Sequence, residues 1–264
     1  MKRLLDFPLA EPEEIAALRR AAAAAPKDPD QQVAFAAALS RAGCTYEAAH
    51  LLRPLRSHWK GSDLEAVARA ALEAQSWWNK NWRDFAQRKQ AGDWTGALAL
   101  LGDRAVDFWD LPPLLIHLAG FAEDDGELAL ADHLYRRVLG LAERGLPKLN
   151  MTSFIYVAEA GLVEILLARG QAQEALARHR ALTPNPGNAM AYELLTLKLL
   201  VATGAHEAAM VQAATTLTIA KKHRAGYSRA LRLDFIEKAP ELAPLRKRAD
   251  WRELLEDPGA YLKR

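Results

Sequence analysis

The chain contains 264 residues with a formal net charge of +2; half of its residues are hydrophobic and 26% are charged. This composition is ordinary for a soluble protein with a substantial core, and the small net charge does not by itself indicate a polyanionic partner. The single cysteine, Cys44, excludes an intramolecular disulfide and a thiolate metal cluster. Alanine is abundant and alternating strand patterns are absent, which favours an all-helical chain.

The first residues of the chain are not expected to form a secretory leader. Residues 1–10 are expected to form an extended lead-in, in which Lys2 and Arg3 are followed by Pro8 and not by an apolar region typical of a secretory leader. The longest apolar stretch, residues 111–122, is too short to span a bilayer. We therefore expect a cytoplasmic protein without membrane contact.

A short signature, a glycine followed five positions later by an alanine, recurs along the chain. It occurs at Gly43 and Ala48, Gly92 and Ala97, Gly126 and Ala131, Gly170 and Ala175, and Gly204 and Ala209. Two of the steps between successive glycines are 34 residues, and the others are 44 and 49. A fixed period in this range is typical of stacked helical hairpins.

The residue types of the signature explain the hairpin. Gly170 follows an apolar helical run, and a glycine there can adopt the left-handed conformation that closes a helix. The next helix begins within a few residues, so the two helices must pair antiparallel. Ala175 then faces the first helix, where only a small side chain allows close approach. We predict hairpins over residues 31–223, with both Gly170 and Gly204 in inter-helix turns.

The run Gly170-Gln171-Ala172-Gln173-Glu174-Ala175-Leu176, with Pro184 and Pro186 after it, resembles the tetratricopeptide repeat family. The resemblance implies a superhelical solenoid of about five hairpins in a single domain, residues 1–264. Residues 11–25 would form an N-terminal capping helix and residues 226–264 a C-terminal cap. The apolar residues expected to cover that end are Leu242, Leu245, Trp251, Leu254, Leu255 and Tyr261.

Residues 63–90 contain neither glycine nor proline, and are expected to form either one long helix or two helices that meet near residues 77–81. Tryptophans crowd this part of the chain. Trp94 and Trp109 occupy hairpin positions and are predicted to be core residues. Trp77 and Trp78 cannot both face one core, because neighbours on a helix are about 100° apart. The cluster of Trp77, Trp78 and Trp82 is therefore interpreted either as core or as part of a binding surface.

In the tetratricopeptide repeat family, the first helix of each hairpin lines a concave binding face. Aligning the signature alanines places Val33, Ala37, Ala86, Ile116, Gly120, Ala160 and Leu194 on that face, together with most of the candidate site. The candidate partner-binding residues are Arg41, Trp77, Trp78, Trp82, Lys89, Gln90, Glu123, Asp124, Glu164 and Lys198. Positions where the family grips peptide tails with Lys, Arg and Asn are mostly apolar or acidic here. This disfavours a chaperone-tail receptor and favours a groove for a helix or an extended apolar peptide.

No catalytic constellation is recognisable in the sequence. Glu47 and His50 have the spacing of a di-iron helix but lack the second copy that such a site requires. We therefore expect no enzyme activity, no cofactor and no metal, and interpret the chain as a scaffold, adaptor or regulator that binds a protein or peptide. The alternative is a nucleic-acid-binding helical array, because residues from 221 onward include twelve basic and seven acidic side chains.

Overall fold

The computed structural model of the chain describes residues 11–146, 151–184, 186–222 and 227–263. Within these ranges the regular structure is helical and no β-strand is formed, which confirms the all-α class; an isolated bridge joins Cys44 and Phe108. None of the described helices is both long enough and apolar enough to cross a membrane. The expected lead-in, residues 1–10, lies outside the described residues.

The helices are numbered in chain order. They are α1 Glu13–Ala24, α2 Pro29–Arg41, α3 Thr45–Leu52, α4 Arg56–Trp59, α5 Glu65–Gln90, α6 Trp94–Leu101, α7 Pro112–Asp124, α8 Leu128–Arg144, α9 Thr152–Ala168, α10 Ala172–Arg180, α11 Ala189–Ala202, α12 His206–Lys222, α13 Tyr227–Lys238, α14 Ala243–Arg246, α15 Trp251–Glu256 and α16 Pro258–Tyr261. Short 3-10 segments are Arg53–Leu55, Gly102–Asp107 and Pro240–Leu242. The chain forms two compact units, Met1–Ala158 and Glu159–Arg264. The single-domain solenoid expected from the repeats stays a prediction.

The five signature glycines all lie in turns between consecutive helices, as predicted for Gly170 and Gly204. Their φ angles are 76°, 70°, 75°, 76° and 75° in chain order, in the left-handed region that favours glycine. In each turn the residue after the glycine donates its N–H to the carbonyl four residues before the glycine. For Cys44 to Leu39 and for Gln171 to Leu166 the distance is 2.9 Å. This is the Schellman closure of a helix, repeated five times.

The signature alanines lie where the second helix of each hairpin begins. The N–H of Ala175 donates to the carbonyl of Gln171 at 2.9 Å, and the N–H of Ala209 donates to Ala205 at the same distance. All five signature alanines are fully buried, at 0% exposure, which confirms the prediction made for Ala175 and Ala209. A larger side chain at these positions would push the paired helices apart.

Residues 63–90 form one helix and not two, since α5 runs without interruption from Glu65 to Gln90. At 1.5 Å per residue, its 26 residues span about 39 Å. Ala68 and Ala71 in its first half belong to the same core cluster as residues of α2 and α3. Its second half carries the tryptophan cluster. The length of α5 accounts for the 49-residue step between signatures.

The segment that leads into the third hairpin docks on the turn of the first hairpin. The N–H of Trp109 donates to the carbonyl of Gly43 at 2.8 Å, and the Thr45 hydroxyl donates to the carbonyl of Asp107. The carboxylate of Asp110 accepts the N–H groups of Tyr46 at 3.1 Å and Glu47 at 2.8 Å. In a regular array only neighbouring repeats touch, so this first-to-third contact departs from the expected pattern.

In the second unit the last hairpin and the C-terminal elements share one core. Leu242, Leu245, Leu254 and Trp251 are buried with apolar residues of α11 and α12, as predicted for the end of the chain. Leu255 was expected to join them, but it is 37% exposed. Leu255 directly follows Leu254 on α15, so the two side chains leave the helix about 100° apart and cannot both face the core.

Candidate functional site

The tryptophan cluster is divided between two sides of α5. Trp78 is 7% exposed, and its ring centroid lies 5.8 Å from that of Phe85 and 5.4 Å from that of Phe108. Trp77 is half-buried on another side, where it stacks on Phe108 at 6.1 Å and lies 5.4 Å beneath the Arg104 guanidinium. The two neighbours therefore differ in burial, as the helical geometry requires, although both rings pack on Phe108.

Trp82 is half-buried beside an open cavity. Its ring packs on Trp78 at 5.1 Å and stacks on His117 of α7 at 5.3 Å, with 24° between the His117 and Trp82 planes. Phe85, one turn further along α5, lies 6.0 Å from His117 and 6.4 Å from Phe121. Since increasing residue numbers on α5 meet increasing residue numbers on α7, the two helices run parallel. First helices of successive hairpins are expected to do so.

An aromatic groove opens between the first helices of three successive hairpins, α5, α7 and the start of α9. Its volume is about 610 Å³, and its lining residues are Trp78, Asn79, Trp82, Pro113, Ile116, His117, Ser153, Phe154 and Val157. Three of these side chains are polar, and none is a carboxylate, an ammonium or a guanidinium. A mostly apolar cavity of this size with a few convergent polar groups is typical of a ligand site.

The aromatic groove brings together Trp78 and Trp82 from the predicted partner-binding set and Ile116 from the predicted concave face. Six lining residues were missed by sequence reasoning. Three of those six, Asn79, Pro113 and Val157, precede the predicted face positions 82, 116 and 160 by three residues. If the predicted face had been extended on each helix by one turn towards the N-terminus, it would have included these three residues.

The remaining candidate residues lie apart from the groove lining. Arg41, Gln90 and Asp124 are exposed, and the side chain of Lys89 lies outside the described residues. Glu123 accepts a hydrogen bond from the Tyr135 hydroxyl at 2.6 Å.

The prediction that Val33 and Ala37 lie on an open concave face of the first hairpin is wrong. They are buried and not on an open surface, because α2 is covered by both α1 and α5. Arg41 is thus the exposed member of the set predicted on this helix.

Glu164 and Lys198 form an ion pair within the second unit. The ammonium lies 2.7 Å from Glu164 and 3.5 Å from Glu241. Glu164 and Lys198 are 34 residues apart, which is one repeat. The pair therefore joins equivalent positions of two successive first helices, and its charges are directed at each other.

No protein-family model, curated protein or solved structure matches this chain.

A second cavity of about 670 Å³ lies along α8 and is lined largely by charged side chains. Arg144 lies 3.1 Å from Glu11 and 3.5 Å from Glu47, and Arg19 donates to Glu47 at 2.9 Å. Arg137 is buried and donates to the carbonyl of Trp109 at 3.0 Å. Cations and carboxylates compensate each other here, so we interpret this cluster as a structural link between α1, α3 and α8.

Cys44 lies in the turn of the first hairpin, beside this cluster, and its side chain is buried. Burial raises the pKa of its thiol to about 12, with the Asp110 carboxylate adding to the rise. A thiol of such high pKa is protonated at neutral pH and is a poor nucleophile. We therefore interpret Cys44 as a packing residue.

The basic residues near the C-terminus are largely engaged within the chain. Arg232 forms a buried pair with Glu193 at 2.9 Å, and Arg248 lies 2.7 Å from Glu207. The Lys221 ammonium donates to the carbonyl of Leu255 at 3.3 Å. Residues 223–226, which include part of the predicted basic run, lie outside the described residues. These pairs reduce the positive charge available to a nucleic acid.

Proposed function

We propose that the protein is a non-catalytic adaptor or regulator of the tetratricopeptide-like solenoid type, which binds a partner protein or peptide in the aromatic groove. The observation that carries the proposal is Trp82, a half-buried indole beside an open apolar cavity of about 610 Å³. Tryptophan is enriched among the residues that dominate binding energy at protein interfaces. A half-buried position leaves part of the ring available to a partner.

The setting of Trp82 supports its role as an anchor. Trp78 and Phe85 pack against its ring at 5.1 and 6.1 Å, and His117 stacks on it at 5.3 Å. A side chain held in this way loses little conformational entropy when a ligand binds, which favours affinity. The groove walls are helices and not loops, so they present a preformed surface.

The test compares two tryptophans of the same helix. Trp82 lines the groove, whereas Trp77 is also half-buried but packs on Phe108 and Arg104, away from the groove lining. The wild-type protein and the Trp82→Ala and Trp77→Ala variants are each used for quantitative affinity capture from the native host. We expect at least one protein that the wild type and Trp77→Ala retain and that Trp82→Ala loses.

The affinity of a captured partner is then measured with purified components. Loss of an aromatic anchor costs about 2 kcal/mol or more, so Trp82→Ala is expected to weaken binding at least about thirtyfold. Circular dichroism checks that all three proteins have the same helix content. Equal capture by Trp82→Ala and the wild type would contradict the proposal, as would turnover of a small-molecule substrate by the purified protein.

A further inference from the structure

The charges around the aromatic groove indicate what kind of peptide it accepts, if the proposed function holds. The nine lining residues include no ionisable side chain apart from His117. On α7 the residues from Pro112 to Ala122 carry no carboxylate, and the first acidic residue of that helix is Glu123. Glu123 follows His117 by six residues, or about 9 Å along the helix axis. A negative charge on a ligand beside His117 therefore meets no carboxylate among the lining residues.

An exposed arginine follows the groove-lining residues on α5. Arg83 is exposed and follows the lining residue Asn79 by four positions, so their Cβ atoms are about 6 Å apart on the same helix face. Arg83 forms no ion pair or hydrogen bond within the part of the chain that the structure describes. The one acidic residue in the second half of α5, Asp84, lies 3.7 Å from the Arg88 guanidinium.

The N-terminus of α9 adds a partial positive charge at the groove. α9 has 17 residues and no acidic residue in its first turn, from which Ser153 and Phe154 line the groove. The aligned peptide dipoles of a helix leave about half a positive charge at this end. The carboxyl group of Asp110, just before α7, does not offset it, because that group is buried and accepts the N–H groups of Tyr46 and Glu47.

We infer that the aromatic groove binds a peptide segment of a partner protein in which a bulky apolar side chain is flanked by Asp or Glu. The apolar side chain packs against Trp82, Ile116 and Phe154. The acidic side chain lies beside Arg83, and the partial positive charge at the start of α9 adds to the attraction. Charge complementarity of this kind sets the specificity and the association rate of an interface. The groove lacks the carboxylates that a basic peptide would require.

The test uses a phage-displayed library of random peptides, selected on the full chain and counter-selected on the Trp82→Ala variant. We expect the enriched peptides to combine Leu, Phe or Trp with neighbouring Asp or Glu. A fluorescein-labelled synthetic copy of an enriched peptide is then titrated with each variant by fluorescence anisotropy. Arg83→Glu is expected to weaken binding about fivefold, and the affinity of the wild type is expected to fall as salt screens the charges.

Lys80→Glu is the matched control, because Lys80 is also exposed on α5 but points about 100° away from Asn79, against about 40° for Arg83. It is expected to change the affinity by less than about twofold. If the enriched peptides depend on Trp82 but are neutral, proline-rich or basic, the inference is overturned while the proposed function stands. If no enriched peptide depends on Trp82, both are overturned. Equal effects of Arg83→Glu and Lys80→Glu would overturn the placement of the acidic side chain.

Discussion

Asp110 offers the sharpest test of the contact between the first and third hairpins. Its carboxyl group is fully buried, at 0% exposure, and burial raises its pKa from 3.8 to about 6 despite the N–H groups of Glu47 and Tyr46. The folded state therefore binds a proton more tightly than the unfolded state between about pH 4 and pH 6. Over this range unfolding releases a proton, so the free energy of unfolding falls as the pH rises.

The size of the effect follows from the two pKa values. A rise from 3.8 to about 6 corresponds to a loss of about 3 kcal/mol across the range. Asp110→Asn removes the titration but keeps an oxygen that can accept an N–H of the first turn of α3. Urea unfolding of both proteins is measured from pH 4 to pH 7.5, and the difference between them cancels the contributions of other carboxyl groups.

We expect the stability of the wild type relative to Asp110→Asn to fall by about 2–3 kcal/mol between pH 4 and pH 6.5. A difference that stays constant over this range would refute the argument that the buried carboxyl titrates with a raised pKa. A difference of opposite sign would mean that the two N–H groups outweigh burial and lower the pKa instead.

Three further predictions concern the repeated turns. Ala175→Leu and Ala209→Leu should each overpack a hairpin and lower the free energy of unfolding in urea by about 1–3 kcal/mol. The control Ala177→Leu, at an exposed position of the same helix as Ala175, should lower it by less than about 0.5 kcal/mol. Unchanged melting temperatures in both buried variants would remove the structural basis of the signature. Gly170→Ala should cost about 1–2 kcal/mol, because its φ of 76° disfavours an alanine although no atom lies within 4 Å of the new Cβ; a neutral result would argue against the left-handed turn. Cys44 should resist a thiol reagent in the folded protein and react once the chain is unfolded in urea, and rapid labelling without denaturant would contradict its burial and raised pKa.

The repeated turns could be predicted from the sequence because their determinants are local. A glycine that closes a helix and an alanine five positions later occupy fixed places in one hairpin, and their spacing is visible without knowledge of distant residues. The same holds for the difference in burial between Trp77 and Trp78, which follows from the angle between neighbours on a helix.

The contacts that could not be predicted join residues far apart in the chain. Glu47 pairs with Arg144, and Asp110 accepts N–H groups from residues 63 and 64 positions earlier. Neither pair has a periodic signature, since each depends on how α6 ends and where the following segment docks. The groove was only partly predicted for a related reason: the alignment marked one stripe on each helix, whereas the cavity extends by a further turn to Asn79, Pro113 and Val157.

The docking of residues 107–110 on the first turn has a consequence for how the first unit unfolds. In an array whose repeats touch only their neighbours, an end repeat can fray while the others stay folded, because stability is a sum of local terms. Here the first helix turn of α3 obtains its hydrogen-bond acceptors from a segment more than sixty residues later in the chain. Loosening either partner leaves polar groups of the other without their acceptor or donor, so the first and third hairpins gain or lose order together. We therefore expect the first unit to melt cooperatively, as a globular domain usually does, although its helices follow a local repeat.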